Sequence, residues 1–328
     1  MTGADGVKRL EEAGGTQFEQ IGAARRLTER RLAERRQQLA ALPPGQTAVV
    51  LCGSWGRREL TSSSDDDFMI LVETPETSLR PSLEEVASAL EIVAPAADGA
   101  FGEHVHLAHL RDRIGRDGDD NANLTRRMLV VLESVAISGS DVHNRARREL
   151  LTRYLEANVR DYRPPRFLLN DLVRYWRTIA VDFESKMRER KGEGWGLRNA
   201  KLRLSRKALF AGGLLPLLEC HRYQTNEMLD YLDQRMSIPP LDRLADAFLA
   251  YHAVDVGIRA FTAYDEFLAI LDDPDLRVGL SSVKRGGANT SPIFSRVAEL
   301  GSVFQESLLS LLFDDATLYR LAREYLVF

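Results

Sequence analysis

The stretch Leu51–Val72, LCGSWGRRELTSSSDDDFMILV, decides how this chain folds. The apolar run Thr47–Cys52 leads into it and predicts a buried strand. A Gly53-Ser54 turn follows this strand, and a polar segment then carries the chain to a second apolar run, Phe68–Val72. We therefore expect two strands joined by a turn and a polar loop, with three consecutive aspartates at the entrance to the second strand.

The three aspartates, Asp65, Asp66 and Asp67, indicate a metal site. Alternate side chains of a strand share a face, so Asp65 and Asp67 should point one way and Asp66 the other. Two carboxylates on one face repel each other, and a divalent cation offsets that repulsion most simply. Magnesium binds one or two carboxylates together with substrate phosphates.

The Gly53-Ser54 turn indicates a phosphate site next to those carboxylates. Because Gly53 has no β-carbon, backbone amides and the Ser54 hydroxyl can approach a phosphate closely. The stretch as a whole thus predicts a triphosphate site that faces a metal site.

This arrangement resembles the DNA polymerase β-like nucleotidyltransferase superfamily, in which a Gly-Ser or Gly-Gly turn precedes Asp-x-Asp at the start of a strand. The fuller motif GSWGRREL followed by SDDD is similar to the bacterial PII uridylyltransferases of nitrogen signalling and to the nucleotidyltransferase domains that often accompany CBS domains. In those relatives the turn reads Gly-x-x-Gly-Arg-x-Glu-Leu, and five positions of this chain match it: Gly53, Gly56, Arg57, Glu59 and Leu60.

The resemblance implies a fold class and a reaction. The fold is an α/β (α+β) nucleotidyltransferase domain with a small mixed β-sheet, followed by an all-α helical bundle. The reaction is transfer of a nucleoside monophosphate, AMP from ATP being favoured, to a protein, RNA or small-molecule acceptor with release of pyrophosphate. Mg²⁺ or Mn²⁺ would be the cofactor, held by Asp65 and Asp67.

The resemblance also implies a third carboxylate on a later strand, and Ala100–His109 is the segment at that place. The usual form is a carboxylate flanked by apolar residues, whereas this segment offers Glu103 on one face and His104 and His106 on the other. We expect Glu103 to join the two aspartates as a catalytic metal ligand, because a carboxylate is the ligand that a hard cation prefers. Zinc binding by the His-x-His pair stays open.

Further residues of the nucleotide site follow from the resemblance. Ser54 and the amides after Gly53 would hold the triphosphate, and Arg57 could contact its outer phosphates. A helical domain of such relatives donates a Lys or Arg to the triphosphate, and Arg198 and Lys201, just after a Gly-rich turn, are the candidates. A solvated cationic helix is the competing interpretation.

The expected domains are a flexible N-terminus over 1–16, a catalytic domain with an N-terminal helix over 17–145, and a helical domain over 146–328. Within the catalytic domain, apolar spacing predicts a helix over Leu124–Ile137. Pro164-Pro165 breaks the chain before the helices of the second half.

Composition limits the class of protein. The chain has 328 residues, of which 44% are hydrophobic and 28% charged, and its net charge of -4 argues against a generic nucleic-acid binder. No apolar run reaches the roughly 18 residues of a membrane span, and the N-terminus lacks the layout of a signal peptide. Cys52 and Cys220 each lie in an apolar segment, which favours buried thiols in a reduced, cytoplasmic protein that makes no membrane contact.

Three other functions stay open at this point: a catalytically silent, nucleotide-sensing regulator, an antitoxin that modifies a partner toxin, and an antibiotic nucleotidyltransferase. The acceptor and the preferred base are not encoded in these motifs, and the chain is compatible with a homodimer.

Overall fold

Four strands form one mixed sheet in the part of the chain that the computed structural model describes, which is residues 5–41, 46–73, 80–96, 101–156 and 159–327. The sheet order is β3-β2-β1-β4; β1 is antiparallel to both of its neighbours, and β2 is parallel to β3. The strands are β1 Thr47–Cys52, β2 Phe68–Val72, β3 Val105–His106 and β4 Ser134–Ser138.

Helices surround the sheet and make up the second half of the chain. Those before residue 157 are α1 Gly6–Gly14, α2 Glu19–Gln38, α3 Ser54–Arg57, α4 Leu83–Ala89, α5 Leu107–Asp112, α6 Asn121–Leu132 and α7 Ser140–Leu155. Those after residue 158 are α8 Arg166–Glu189, α9 Trp195–Arg203, α10 Ser205–Glu219, α11 Thr225–Met236, α12 Pro240–Ala250, α13 Val254–Asp272, α14 Pro274–Ser282, α15 Pro292–Asp314 and α16 Ala316–Ala322. The predicted fold class, a small mixed sheet followed by many helices, is confirmed.

Both faces of the two central strands are buried, which explains their unbroken apolar sequences. Val49 and Leu51 face a small core that α2, α4 and the Trp55 ring complete. Val50 and Cys52 face the larger core, which joins the sheet to the helices of the second half. The sheet is therefore held between α2 and α4 on one side and the helical half on the other.

The prediction of a helix over Leu124–Ile137 is wrong at its C-terminal end. Helix α6 stops at Leu132, and the next residues form β4, which pairs with β1. Val135 and Ile137 are buried in the small core, whereas Ser134, Ala136 and Ser138 are half-buried. This alternation is the period of a strand, and the free edge of β1 provides the hydrogen-bonding partner.

The N-terminal segment also differs from the prediction. Residues 1–4 of the predicted flexible stretch 1–16 lie outside the described part of the chain, but α1 within it packs on α12 and α13, with Val7 and Leu10 in the main core. The Val7 amide donates to Asp242 Oδ1 at 3.1 Å. Val7 and Leu10 are three residues apart, so one face of a short helix is enough to bury both.

Other expectations concern the later segments. Only Val105–His106 of the predicted strand is extended, since α5 begins at Leu107; Ala100 lies outside the described residues. The expected boundary at 145/146 lies inside α7. No helix in the described ranges is long and apolar enough to cross a bilayer.

Candidate functional site

Two glycines shape the turn after β1. Gly53 has φ +68° and ψ -127°, a conformation that residues with a β-carbon rarely adopt, and α3 begins directly after it. A β-carbon on Gly56 would lie 2.0 Å from the carbonyl oxygen of Glu133, so only glycine lets α3 contact the start of β4. In the Gly-x-x-Gly motif, the first glycine is therefore required by its backbone conformation and the second by close packing.

The aspartate loop is attached to this turn. The Trp55 indole, fully buried, donates from Nε1 to the backbone oxygen of Asp65 at 3.2 Å. The Cys52 amide donates to the backbone oxygen of Asp67 at 2.9 Å. Asp66 forms an ion pair with Arg35 of α2, whereas the charges that act on Asp67 include Arg206 and Lys201 of the helical half. This geometry agrees with the alternation expected at a strand entrance.

The carboxylates of Asp65 and Asp67 are exposed to solvent and act on each other. The pKa of Asp67 is raised, first because neighbouring residues keep water away from much of its surroundings and so disfavour the charged form. The like charge of Asp65 raises it further. Glu133 raises that pKa further, whereas Arg206 and Lys201 lower it. Asp67 is therefore an anion in an unfavourable environment, and a bound cation would relieve that cost.

The positive charges opposite these carboxylates come from α9 and α10. Asp65 acts electrostatically on both Arg198 and Lys201, so the two predicted cations do lie near the aspartate loop. Burial lowers the pKa of Lys201 to about 8, and the cation Arg277 contributes in the same direction. The carboxylate of Asp65 opposes this lowering, although the two side chains form no ion pair in the described part of the chain.

Arg57 lies beneath the turn in a buried network. Its Nε donates to Glu59 at 2.9 Å and its Nη1 to Glu133. Burial alone would lower the pKa of Arg57, but the carboxylates of Glu133 and Glu59 outweigh it and raise the pKa. Contact of Arg57 with the outer phosphates would require two buried ion pairs to break, so the observed geometry favours a structural role over the predicted one.

Glu133 is a carboxylate near this site that the sequence reasoning missed. It is fully buried at the C-terminus of α6, and besides Arg57 it accepts from Arg206 at 3.0 Å and from Tyr175 at 3.4 Å. Its charge raises the pKa values of both Cys52 and Asp67. The available signal was a Glu directly before the alternating segment Ser134–Ser138.

Glu103 lies in a different environment from the aspartates. Its side chain is 67% exposed and forms an ion pair of 2.8 Å with Arg126 of α6. His104 contacts the Pro81 carbonyl oxygen at 2.9 Å, and the ring of His106 lies 5.4 Å from that of His109. In the described ranges no group of three or more His, Cys, Asp or Glu side chains is placed to hold a metal ion.

Comparison with known proteins gives one finding. Residues 10–93 match the model of the family described as "Putative nucleotidyltransferase DUF294". The matched segment contains β1, the Gly53-Ser54 turn and all three aspartates, and it agrees with the resemblance to a nucleotidyltransferase superfamily. The narrower link to PII uridylyltransferases is not part of this match. No curated protein and no solved structure matches the chain.

Proposed function

We propose that the nucleotidyltransferase domain matched at residues 10–93 transfers a nucleoside monophosphate, AMP from ATP being favoured, to a hydroxyl or other acceptor of a protein, an RNA or a small molecule. The acceptor forms a bond to the α-phosphorus, and the bond to the β-phosphate oxygen breaks, so that pyrophosphate leaves. The observation that carries the proposal is the pair of exposed carboxylates, Asp65 and Asp67, within electrostatic reach of Lys201 and Arg198.

The donor set fits Mg²⁺ or Mn²⁺. Asp65 and Asp67 are hard oxygen ligands whose repulsion a divalent ion would relieve, and substrate phosphates would complete the coordination. When held there, such an ion would supply positive charge to the phosphates and lower the pKa of the attacking hydroxyl. Asp65 and Asp67 would hold the triphosphate only through that ion, because they repel it otherwise.

Side chains on both sides of the aspartates would bind the triphosphate. The Ser54 hydroxyl and the amides after Gly53 would contact it from the turn. Lys201 and Arg198 would contact it from α9 and neutralise charge that develops on the leaving pyrophosphate. Two of these groups lie in the turn after β1 and two on α9. Nucleotide binding should therefore stabilise the position of α9 relative to the sheet.

The direct test is incubation of the full chain with each radiolabelled NTP, a divalent cation and cell lysate. Transfer of α-phosphate label to protein, RNA or a small molecule supports the proposal and identifies the acceptor class. The matched control is Asp65→Asn with Asp67→Asn, which preserves shape and removes charge. If this variant transfers as much label as the wild type, the aspartates are not the catalytic groups.

One observation favours a second candidate, a silent nucleotide-sensing regulator. Both Glu133 oxygens are already engaged by arginines, and Glu103 is exposed and paired with Arg126. In the described part of the chain, therefore, neither of these carboxylates is free beside the aspartates as the third ligand of a two-metal site. Such a protein would bind NTP with a divalent cation yet release no pyrophosphate. Pyrophosphate release measured alongside nucleotide binding separates the two functions.

A further inference from the structure

A cavity of about 200 Å³ lies between the edge strand β4, the first turn of α7 and the segment Met236–Pro239. Gly56 and Arg58 at the end of α3 contribute to its wall. None of the candidate nucleotide-binding residues lines it, so it is separate from the site at the aspartates. The cavity nevertheless adjoins that site through α3, since Gly56 lies against the Glu133 backbone.

The wall of this cavity is positively charged. Arg36, Arg58 and Arg147 line it, and no Asp or Glu among the described residues does. Arg147 Nε donates to Asp233, behind the wall, at 2.9 Å, which offsets part of this charge. Arg58 Nε lies 3.3 Å from Glu29, but its buried Nη1 has no hydrogen-bond acceptor in the described part of the chain. Burial lowers the pKa of Arg58, and the neighbouring Arg36 lowers it further. A buried donor without an acceptor is rare in folded proteins, and an anion or an ordered water in the cavity would satisfy it.

A fourth arginine lies behind the wall. Arg243 is 1% exposed and donates to the Leu132 carbonyl oxygen and to the Met236 sulfur, two residues that line the cavity. Its Nε has no acceptor and its guanidinium no carboxylate partner among the described residues. Burial is the main cause that lowers its pKa, to about 9. The carboxylates of Glu133 and Asp242 act on this cation without forming an ion pair with it, so an anion in the cavity would offset more of the cost of its burial.

The N-terminus of α7 adds to the positive electrostatic potential of the cavity. This 16-residue helix begins after Gly139, which provides no side-chain cap, and Ser140 and His143 of its first turn line the cavity. Ser134 Oγ donates to the Val130 carbonyl oxygen at 3.0 Å and therefore accepts from His143 Nε2 at 2.8 Å. Free amides and the positive end of the helix dipole attract anions at such a position. The one acidic residue of this first turn, Asp141, is exposed and does not line the cavity.

We propose that this cavity is a second anion site, which binds a phosphate group through Arg36, Arg58, Arg147 and the first turn of α7. Its volume is below the roughly 300–1,000 Å³ of pockets for drug-sized ligands, so the ligand is a free phosphate ion or the phosphate end of a small ester rather than a whole nucleotide. Arginine side chains with several donors suit the tetrahedral oxygens of that group. This proposal does not depend on the proposed transfer reaction.

The test is thermal unfolding of the full chain in inorganic phosphate, with chloride at matched ionic strength as the reference. Phosphate should raise Tm by about 2 °C or more beyond chloride, because it binds the native state. Arg58→Gln should lose at least half of that shift, and Arg36→Gln, at an exposed position, should weaken it without risk to the fold. Arg160→Gln, at an exposed arginine away from the cavity, is the matched control and should keep it.

A further variant separates this cavity from the nucleotide site. Lys201→Gln should keep the phosphate response if the cavity binds the ion. The proposal would be overturned if the phosphate-induced rise in Tm persisted in Arg58→Gln and Arg36→Gln but disappeared in Lys201→Gln. It would also be overturned if phosphate raised the Tm of the wild type no more than chloride does. Glycerol 3-phosphate, compared with inorganic phosphate, distinguishes an ester ligand from the free ion by the larger shift.

Discussion

The Tyr264 hydroxyl donates a hydrogen bond of 2.7 Å to Glu59 Oε1, although the two residues are 205 positions apart in the chain. Both side chains are buried, and the other Glu59 oxygen accepts from Arg57 at 2.9 Å. The Glu of the Gly-x-x-Gly-Arg-x-Glu-Leu motif thus connects the turn after β1 to α13 of the helical half. These two bonds hold the turn against α13.

Tyr264→Phe should therefore lower the free energy of unfolding by about 1–3 kcal/mol, because the charged Glu59 would lose a buried donor. Urea unfolding followed by circular dichroism measures this loss. The control is Tyr319→Phe, at an exposed tyrosine, which should change stability by no more than about 0.5 kcal/mol. Equal effects of the two substitutions would mean that the Glu59 contact adds nothing.

Nucleotide binding should require a divalent cation. ATP should raise Tm in magnesium, by an amount that grows as RT ln(1 + [L]/Kd), and should raise it far less in EDTA. The reason is that Asp65 and Asp67 repel a triphosphate unless a cation lies between them. Equal stabilisation in EDTA would indicate a phosphate site that does not use these aspartates.

Asp65→Ala combined with Asp67→Ala should leave the protein folded, or slightly more stable, while it abolishes transfer. The raised pKa of Asp67 means that its charged form costs stability at neutral pH, so truncation removes a cost. The matched control is Asp66→Ala, which breaks the ion pair with Arg35 and should lower Tm. Loss of cooperative unfolding in the double variant would assign the two aspartates a structural role.

Glu103→Gln tests the third metal ligand. If Glu103 holds the ion that activates the acceptor, the variant should bind ATP with magnesium and lose most turnover. If it is only a surface partner of Arg126, activity should stay unchanged. Full activity in Glu103→Gln together with a loss in His106→Ala would place the functional group on the other face of β3.

Glu133→Gln should act mainly on stability. Removal of this charge leaves Arg57 and Arg206 without a shared buried anion, so the free energy of unfolding should fall by about 3 kcal/mol. Urea unfolding measures the loss, and ATP binding by the folded fraction shows whether the site survives. A stable variant that has lost only turnover would instead identify Glu133 as the third carboxylate of the reaction.

ATP affinity should fall as the pH rises through the pKa of Lys201. Burial lowers that pKa to about 8, so the charged form that attracts phosphate predominates at pH 7 and is scarce at pH 9. If only the charged form binds, Kd should rise about tenfold over this interval. Isothermal titration calorimetry measures Kd at each pH. Lys201→Arg keeps its charge over this range, so its Kd should not change with pH if Lys201 causes the effect.

The sequence alone determined the turn and the aspartate loop, because their causes are local. Gly53 is required by the conformation of its own backbone, and the opposite placement of Asp66 follows from the period of one strand. The two central strands were predictable for a similar reason, since each is an unbroken apolar run with turn residues at its ends.

Tertiary structure decided the residues whose partners are far away in the chain. Ser134–Ser138 is too short for its pattern to exclude the end of a helix, and it became a strand because the edge of β1 offered hydrogen bonds. Glu133 then lies next to Arg57 and Arg206, which are 76 and 73 positions away, and no local pattern encodes that meeting. Lys201 likewise has a lowered pKa only because folding buries it near other cations, since desolvation and charge proximity are properties of packing rather than of sequence.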